Sequence, residues 1–298
     1  MIHHRPVMVD EVLSALQPDS DGCYIDCTAG EGGHSEAILK SCDPAPRLIG
    51  LDLDREALSV GRDRLSEFGE RAKLVEASYV DIVRVVTELG CFPCDGALLD
   101  FGVSSLQLNS TERGFSFSKE ASLDMRFGPS VERSANEIVN EMDEEELANL
   151  IYRLGEERRS RQAARAIVAA RPIKTTTQLA EVIAKAIGWS NRGRRIHAAT
   201  RTFQALRMAV NGELDNVDTG IREAIKALRP GGRLVVISYH SIEDRLVKTI
   251  LREEASVTDE SDSPALKLVT KKVVKPSRME IEANPRSRSA KMRVAERI

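Results

Sequence analysis

The chain has 298 residues, of which 42% are hydrophobic and 30% charged, with a formal net charge of -3 at pH 7. This composition is typical of a folded globular protein and excludes a disordered, collagen-like or peptide-scaffold chain. No apolar run approaches the roughly 18 residues that a membrane helix needs, and the first residues do not resemble a signal peptide. We therefore expect a cytoplasmic protein with no membrane partner.

Five cysteines lie at positions 23, 27, 42, 91 and 94, and this odd number argues against a disulfide framework. Cys23 and Cys27 flank a predicted strand, where four residues advance about 13 Å, which is too far for both to bind one zinc ion. We expect buried or incidental thiols and no metal site.

Short apolar runs alternate with helical patterns over about the first hundred residues, which predicts βαβ units and a parallel sheet. A first helix, apolar on one face from Met8 to Leu16, ends before Pro18. The predicted strands that follow, with helices between them, are Cys23–Cys27, Leu48–Leu53, Lys73–Glu76 and Gly96–Leu99.

The pattern then becomes helical. From Ser134 to Val210 the apolar residues recur at helical spacing and no strand is predicted. An amphipathic helix follows and ends at Arg229-Pro-Gly-Gly232, before the buried strand Leu234–Ile237. Two final strands are predicted at Leu266–Val274 and Ala290–Ala295. The helices therefore look like an insertion into an α/β fold.

These elements predict two domains. Residues 1–108 and 204–298 form a discontinuous α/β domain that binds the cofactor, and residues 109–203 form the inserted all-helical domain.

A glycine-rich turn follows the first predicted strand, where Thr28-Ala-Gly-Glu-Gly-Gly-His34 precedes a helix that begins near Ser35. Such a turn lets the backbone pass close to a ligand and directs free N–H groups toward it. Asp52 lies at the carboxyl end of the second strand, where an acid can accept hydrogen bonds from both ribose hydroxyls of an adenosine cofactor. Together the two features favour a nucleoside cofactor over turn glycines alone.

NAD and S-adenosylmethionine both bind to this topology. The turn departs from G-x-G-x-x-G, because Gly30, Gly32 and Gly33 are followed by His34. Leu228-Arg-Pro-Gly-Gly-Arg233 resembles the Leu-x-Pro-Gly-Gly of class I S-adenosylmethionine-dependent methyltransferases. In that superfamily the last two strands form an antiparallel hairpin added to the parallel sheet, which suits the two final strands predicted here.

The fourth strand places Asp100 at the edge where open α/β sheets bind ligands. Amino-methyltransferases that act on bases often carry Asp/Asn/Ser-Pro-Pro-Tyr/Phe at this point, whereas Asp100 and Phe101 occur here without the prolines. That motif leaves the substrate unidentified. Cys94 follows a proline, as the nucleophile of cytosine-C5 methyltransferases does, but it precedes the fourth strand at the edge opposite the cofactor, so we reject it.

Longer sequence blocks are similar to those of one family. They are Asp26-Cys-Thr-Ala-Gly-Glu-Gly-Gly-His-Ser35, Leu99-Asp-Phe-Gly-Val-Ser-Ser105, Glu112-Arg-Gly-Phe-Ser-Phe117, Leu123-Asp-Met-Arg126, Thr200-Arg-Thr-Phe-Gln-Ala-Leu-Arg207, Ile237-Ser-Tyr-His-Ser-Ile-Glu-Asp-Arg245 and Asn284-Pro-Arg-Ser-Arg-Ser-Ala-Lys-Met-Arg293. Over essentially the whole chain they resemble the signature blocks of the MraW family of ribosomal RNA small-subunit methyltransferases, also called RsmH. The departures are Phe101 for Leu, Ser122 and Ala198 for Pro, and Tyr239 for Phe.

The resemblance implies a bacterial enzyme that transfers the methyl group of S-adenosylmethionine to N4 of cytidine 1402, in the decoding region of 16S rRNA. It implies a Rossmann-like class I methyltransferase sheet with an inserted helical domain for substrate recognition. The partner is then 16S rRNA within the small ribosomal subunit, and a homodimer is an assembly that the sequence leaves open. The implied contacts to S-adenosylmethionine are Gly32, Gly33, His34, Asp52, Tyr79, Asp100 and Gln107.

Methyl transfer from a sulfonium is an in-line displacement, so the enzyme mainly aligns the nucleophile with the methyl carbon and excludes water. The lone pair of cytosine N4 is delocalised into the ring, and we expect an acceptor near Asp100 to hold one N4–H. If the cofactor occupies Asp100 fully, Asp124, His240 or Asp244 could take the proton. A lone histidine such as His240 is more often structural, although it follows the fifth strand beside the predicted pocket.

Candidate RNA contacts come from two segments. Arg113, Phe115, Phe117 and Arg126 combine cations and rings suited to stacking a base and holding phosphate, although the rings could instead anchor the insertion. Between Arg192 and Arg207 there are five arginines and no acid, and between Lys267 and Arg297 ten basic and three acidic residues. Such blocks are often solvated faces, but they also favour polyanion binding. We expect phosphate contacts from the basic tail and from Arg192, Arg194, Arg195 and Arg201.

Two other classes of protein remain open from the residues. An NAD-linked oxidoreductase would share the glycine turn and Asp52. Measuring whether the protein binds S-adenosylmethionine or NAD distinguishes this class from a methyltransferase. A non-catalytic RNA-binding module would use the arginines alone, and absence of methyl transfer to small subunits would favour it.

Overall fold

A computed structural model describes residues 5–102, 113–128, 131–188, 197–256 and 264–298. The chain divides into two compact units, which are an α/β unit of Met1–Ser104 with Leu214–Ile298 and a helical unit of Ser105–Glu213. The second dividing line follows Glu213 rather than residue 203, because the helix Thr200–Val210 packs its apolar face into the core of the helical unit.

The α/β unit contains one mixed sheet. Its strands are β1 (Cys23–Asp26), β2 (Arg47–Asp52), β3 (Ala72–Glu76), β4 (Cys94–Asp100), β5 (Leu228–Ser238), β6 (Leu266–Leu268) and β7 (Lys291–Arg297). They lie in the order β3-β2-β1-β4-β5-β7-β6. Strands β1 to β5 pair in parallel, whereas β7 is antiparallel to β5 and β6. This confirms the predicted class I methyltransferase sheet.

Apolar layers cover both faces of the sheet. Neighbouring residues of one strand enter different clusters, so that Leu98 packs in one and Leu99 in the other, and Val235 and Val236 divide in the same way. Successive side chains of a strand point to opposite faces, and a parallel sheet covered on both faces needs apolar residues at both positions. The continuous apolar runs in the sequence have this cause.

Helices surround the sheet and form most of the helical unit. They are α1 (Val9–Leu16), α2 (Gly33–Lys40), α3 (Arg55–Arg64), α4 (Ile82–Glu88), α5 (Ala135–Glu141), α6 (Glu144–Gly155), α7 (Ser160–Ala169), α8 (Thr176–Ala186), α9 (Thr200–Val210), α10 (Glu213–Ala227), α11 (Ser241–Glu254) and α12 (Arg278–Ala283). Helix α3 begins after Asp54, whose side chain accepts hydrogen bonds from two backbone N–H groups of the first turn. Within the described ranges, no helix is long and apolar enough to cross a membrane.

The helical unit has its own core. Helices α5 to α9 each contribute fully buried apolar residues, among them Ile138, Ile151, Ile167, Ile183 and Leu206. These residues come from the helical spacing that the sequence shows between Ser134 and Val210. A separate core explains why the unit forms a compact body of its own.

Two predicted elements differ from the structure. Strand β5 begins at Leu228, so Pro230-Gly-Gly232 is a bulge in the strand, marked by a register shift against Cys94 and Gly96 of β4. Strand β6 ends at Leu268 rather than Val274, and Val274 forms an isolated bridge to Met292. Both differences depend on pairing with a distant strand, which local periodicity does not report.

The cysteines also require a correction. Cys23 and Cys91 form a disulfide, with Cα atoms 6.0 Å apart, whereas Cys27, Cys42 and Cys94 are free. The expectation that all five are thiols is therefore wrong for this pair. The two residues are 68 positions apart, and the parallel topology brings the segment after α4 beside the start of β1, so spacing between sequence neighbours could not predict the bond.

Candidate active site

The glycine turn lies at the carboxyl end of β1, as predicted. Gly30 and Gly32 have φ angles of 50° and 77°, in the left-handed region that favours glycine. The N–H of Ala29 donates to the carbonyl of Leu51 at 2.8 Å, which ties the turn to the end of β2. The turn is thus held in shape by the sheet itself.

Asp52 connects β2 to this turn. Its Oδ2 accepts a hydrogen bond from the N–H of Gly30 at 2.8 Å, and its Oδ1 accepts one from the N–H of Asp54 at 2.8 Å. Burial raises the pKa of Asp52 to about 6, although these two hydrogen bonds act in the opposite direction. Each carboxylate oxygen keeps a further lone pair for a ligand hydroxyl.

Asp100 lies at the carboxyl end of β4, at the same edge of the sheet. Its N–H donates to Oγ1 of Thr28 at 2.7 Å, and its Oδ1 accepts a hydrogen bond from the N–H of Gly102 at 3.4 Å. Its Oδ2 lies 3.5 Å from Nε2 of His34. The structure therefore brings together the turn, His34 and Asp100, which the sequence placed in one site.

A further carboxylate, that of the buried Asp26, interacts electrostatically with His34. Asp26 is 1% exposed and accepts a hydrogen bond from Oγ of Ser35 at 2.7 Å. Burial raises the pKa of Asp26. Burial alone would lower the pKa of His34, but the Asp100 and Asp26 carboxylates outweigh it, so that this pKa is raised. The two carboxylates therefore stabilise the protonated form of His34 relative to the neutral form.

Tyr239 was not among the predicted site residues, and it contacts Asp100. A Cβ placed on Gly102 would lie 3.0 Å from Cε2 of Tyr239, so the ring packs against the segment after β4. Burial, the charge of Asp100 and a hydrogen bond to Asp100 raise the pKa of the Tyr239 hydroxyl. Its sequence signals are its place in the block Ile237–Arg245 and its position after β5, which pairs with the end of β4.

Tyr79 begins a short 3-10 turn, Tyr79–Asp81, after β3. Its ring packs edge to face against Phe101, with centroids 5.8 Å apart. A Cβ on Gly220 of α10 would lie only 2.4 Å from Cδ2 of Tyr79, so Gly220 makes room for the ring. The family resemblance gave Tyr79 its role, and the structure shows what holds the side chain in place.

The amino-terminal segment packs against the glycine turn, which sequence reasoning missed. A Cβ on Gly33 would lie 3.2 Å from Cγ of Pro6. Glu280 of α12 accepts a hydrogen bond from the N–H of Met8 at 2.6 Å, and Asn284 donates its side-chain amide to the carbonyl of Arg5 at 3.2 Å. Residues from both ends of the chain thus fix the segment that lies on the turn.

His240 and Asp244, two alternative proton acceptors, have structural partners. His240 caps α11, because its Nδ1 accepts a hydrogen bond from the N–H of Glu243 at 3.2 Å. Asp244 accepts a hydrogen bond from Nε of Arg293 at 2.8 Å and lies 3.7 Å from Nζ of Lys291. His240 thus caps the first turn of α11, and Asp244 links α11 to β7.

Asp124, the third alternative, lies in the helical unit. Its Oδ1 accepts a hydrogen bond from Nε of Arg126 at 2.5 Å, so these two predicted residues form an ion pair. Arg126 also donates to the carbonyl of Val131 at 3.4 Å. The carbonyl of Arg113 accepts a hydrogen bond from the N–H of Met125 at 2.8 Å, which joins the two ends of this segment.

The two predicted stacking rings are half-buried in the helical unit. Phe115 stacks on Phe127 with centroids 5.4 Å apart, and Phe117 packs against Phe203 at 4.9 Å. These contacts favour the anchoring role over base stacking. Arg201 is 53% exposed and donates to the carbonyl of Glu156 at 3.2 Å. The predicted residues Gln107, Arg192, Arg194 and Arg195 lie outside the described residues.

The α/β unit brings three carboxylates, Asp26, Asp52 and Asp100, to the ends of β1, β2 and β4. An acidic edge suits a cofactor whose sulfonium and amino group are cationic, and it disfavours the anionic diphosphate of NAD. Asp52 beside the glycine turn suits the ribose. Fold and site together define a class I S-adenosylmethionine-dependent methyltransferase.

Comparison with known proteins agrees with this class. Residues 1–298 match the model of the MraW methylase family. The ribosomal RNA small subunit methyltransferase H of Dehalococcoides mccartyi is 48% identical over 304 residues, which cover 99% of this chain and 86% of that protein. The protein of that name from Kosmotoga olearia is 48% identical, covering 99% and 97%. The chain therefore belongs to the MraW methylase family, and its cofactor is S-adenosylmethionine.

A more distant likeness links the chain to a solved methyltransferase from Streptococcus mutans in complex with SAH. The two are 12% identical, with a TM-score of 0.45 over 100% of both chains.

Proposed function

We propose that this protein methylates N4 of a cytidine in the decoding region of 16S rRNA, acting on the small ribosomal subunit in the cytoplasm. Family membership and the names of the relatives support an rRNA substrate. The observation that carries the choice of an exocyclic amine is the position of Asp100, an acid at the end of β4 whose N–H donates to Thr28 of the glycine turn and whose carboxylate lies 3.5 Å from Nε2 of His34.

S-adenosylmethionine, when bound, supplies an electrophilic methyl group. The proposed contacts from this chain are the turn residues Gly32 and Gly33, with Asp52 on the ribose and Tyr79 beside it. Asp100 accepts a hydrogen bond from one N4–H of the cytosine, which orients the lone pair, and it receives the proton as the new N–C bond forms. Tyr239 and His34 hold the carboxylate in that orientation.

The helical unit is proposed to recognise the RNA. Its role as a substrate-recognition module follows from the family resemblance, and Arg113, Arg126 and Arg201 are its proposed contacts among the described residues. Salt dependence of binding tests this assignment, because each phosphate contact releases counterions.

The proposed reaction is tested with labelled S-adenosylmethionine and small subunits that lack the modification. Mass spectrometry of the rRNA digest locates the labelled nucleoside and the methylated atom. We expect one N4-methylcytidine in the decoding region. Label on another nucleotide, on cytosine C5 or on a ribose oxygen would contradict the proposal, and the absence of any transfer would favour a non-catalytic RNA-binding protein.

A further inference from the structure

A cavity of about 470 Å³ lies in the helical unit, between the end of α6 and the start of α7. This Tyr152 cavity is lined by Tyr152 and Asn149 of α6 and, around the start of α7, by a segment that includes Arg158, Arg161 and Gln162. The lining contains three arginines and no acidic residue. Its volume lies in the range of about 300–1,000 Å³ that is usual for small-ligand sites.

The ring of Tyr152 is unusually exposed. It is 60% exposed, and it is the one large hydrophobic side chain left exposed among the described residues of the helical unit. A ring in this position adds little to the core, but it offers a flat face on which a nucleobase can stack.

Two arginines of the lining have few interactions inside the protein. Within the part of the chain that the structure describes, Arg158 forms no hydrogen bond or ion pair, and Arg161 forms one long hydrogen bond, 3.4 Å to Oδ1 of Asn149. Arg159 differs, because its guanidinium donates to the carbonyl of Ile187. Arg158 and Arg161 can therefore turn their guanidinium groups toward an anionic ligand, which they would bind in bidentate fashion.

A further cation, Arg201, interacts with the segment that directly precedes Arg158. Arg201 donates to the carbonyl of Glu156 and lies 3.8 Å from Oε2 of Glu157, in the segment directly before Arg158. A residue that the sequence predicted as a phosphate contact therefore lies next in the structure to the segment that enters the cavity lining.

We propose that the Tyr152 cavity binds one nucleotide of single-stranded RNA, with the base stacked on Tyr152 and its phosphate bound by Arg158 and Arg161. The inference rests on the proposed function for the identity of that RNA as rRNA of the small subunit. An acidic protein partner would use the arginines, but it would gain little from the flat ring. The amides of Asn149 and Gln162 offer both donors and acceptors, which match base edges.

The test is equilibrium binding of a fluorescein-labelled single-stranded oligoribonucleotide copied from the decoding region, measured over a range of salt concentrations. For the double variant R158A/R161A we expect weaker binding, and a slope of log K against log salt that is smaller by about 1.4, as two lost phosphate contacts on a single strand require. Tyr152→Leu should weaken binding by about fivefold or more, whereas Tyr152→Phe keeps the stacking face and should bind like the wild type.

The matched control is R84A/K226A, which removes the same charge from exposed sites of the α/β unit. Its affinity and salt slope should stay close to those of the wild type, because neither residue lies in the cavity. Binding of S-adenosylhomocysteine and the melting temperature confirm that all variants are folded. Equal losses in the control and in R158A/R161A, or wild-type affinity in R158A/R161A and Tyr152→Leu, would overturn the inference.

Methyl transfer to small subunits separates this inference from the proposed function. We expect R158A/R161A to raise KM for subunits while kcat at saturation changes little, because the cavity binds RNA and does not touch the reacting atoms. Wild-type KM in that variant, with the wild type active, would overturn the inference and leave the function standing. If the wild type transfers no methyl group at all, the proposed function fails. The oligonucleotide measurements alone then test whether the Tyr152 cavity binds RNA.

Discussion

The acidic edge of the sheet and the Tyr152 cavity are built in opposite ways. At the edge, Asp26 and His34 are buried and Asp52 is half-buried, and the two carboxylates accept hydrogen bonds from Ser35 and from the backbone of Gly30. In the cavity, Tyr152 and Arg158 are exposed and have few partners. A prearranged set of groups holds a small cofactor in one geometry, whereas exposed side chains become ordered when a larger ligand binds. Substitutions should therefore affect fold and cofactor together at the edge, and RNA binding alone in the cavity.

The largest effect on cofactor affinity is expected for Asp52→Ala. It removes the acceptor for the ribose hydroxyls and the hydrogen bond to Gly30 that shapes the turn. We expect the affinity for S-adenosylhomocysteine to fall by about 100-fold, which corresponds to about 3 kcal/mol of charged hydrogen bonding. Calorimetric titration measures it. Glu56→Gln, an exposed acid in the first turn of α3, is the control and should bind normally. Wild-type affinity in Asp52→Ala would remove Asp52 from the cofactor site.

Gly220→Ala should have the next largest effect. The new methyl group would overlap the ring of Tyr79, and overpacking of this kind typically costs about 1–3 kcal/mol. We expect a lower free energy of unfolding in urea and a weaker affinity for S-adenosylhomocysteine. The control is Gly128→Ala, where the structure shows nothing within 4 Å of the added carbon. Equal behaviour of the two variants would mean that the position of Tyr79 is not set by α10.

The pH dependence of cofactor binding should be smaller. Burial raises the pKa of Asp52 to about 6, and the ligand hydroxyls need the ionised carboxylate as acceptor. Affinity should therefore be full above that pH and be lost as the pH falls through it, by about tenfold between about pH 7.5 and about pH 5. Titrations of S-adenosylhomocysteine across this range measure the change. In Asp52→Asn most of the dependence should vanish, and a profile unchanged in that variant would assign it to Asp26 or His34 instead.

The smallest expected effect concerns the exposed ring of the Tyr152 cavity. Tyr152→Ala should change the free energy of unfolding by no more than about 0.5 kcal/mol, because the side chain is exposed and outside the core. Urea denaturation measures it, beside Ile151→Ala, which empties a fully buried position and should cost about 2–5 kcal/mol. A large loss of stability in Tyr152→Ala would show that the ring serves the fold.

The difference between short local patterns and contacts between distant residues explains what the sequence could predict. The glycine turn, Asp52 and Asp100 depend on short runs of residues at strand ends, and a parallel topology brings those ends together. The Cys23–Cys91 bond and the hydrogen bond between Met8 and Glu280 join residues that are distant in sequence, so no local pattern reports them.

The contact between Tyr239 and Asp100 was missed for a related reason. It depends on the pairing of β4 with β5, two strands separated by the whole helical insertion. The Tyr152 cavity could not be predicted from the sequence, because Tyr152 lies in an amphipathic helix and local periodicity does not show that its ring is exposed. Charge patterns indicated an RNA surface in the helical unit but could not separate paired arginines from those with few partners.

The most direct test of the account is the rate of methyl transfer by Asp100→Asn at saturating cofactor, with the affinity for S-adenosylhomocysteine measured on the same preparation. Asp124→Asn and Asp244→Asn serve as parallel variants, since both acids have arginine partners in the structure. We expect turnover to fall by at least about 100-fold in Asp100→Asn, as for the loss of a positioned proton acceptor, and to change far less in the other two. Full turnover with unchanged cofactor affinity in Asp100→Asn would contradict the role assigned to this carboxylate.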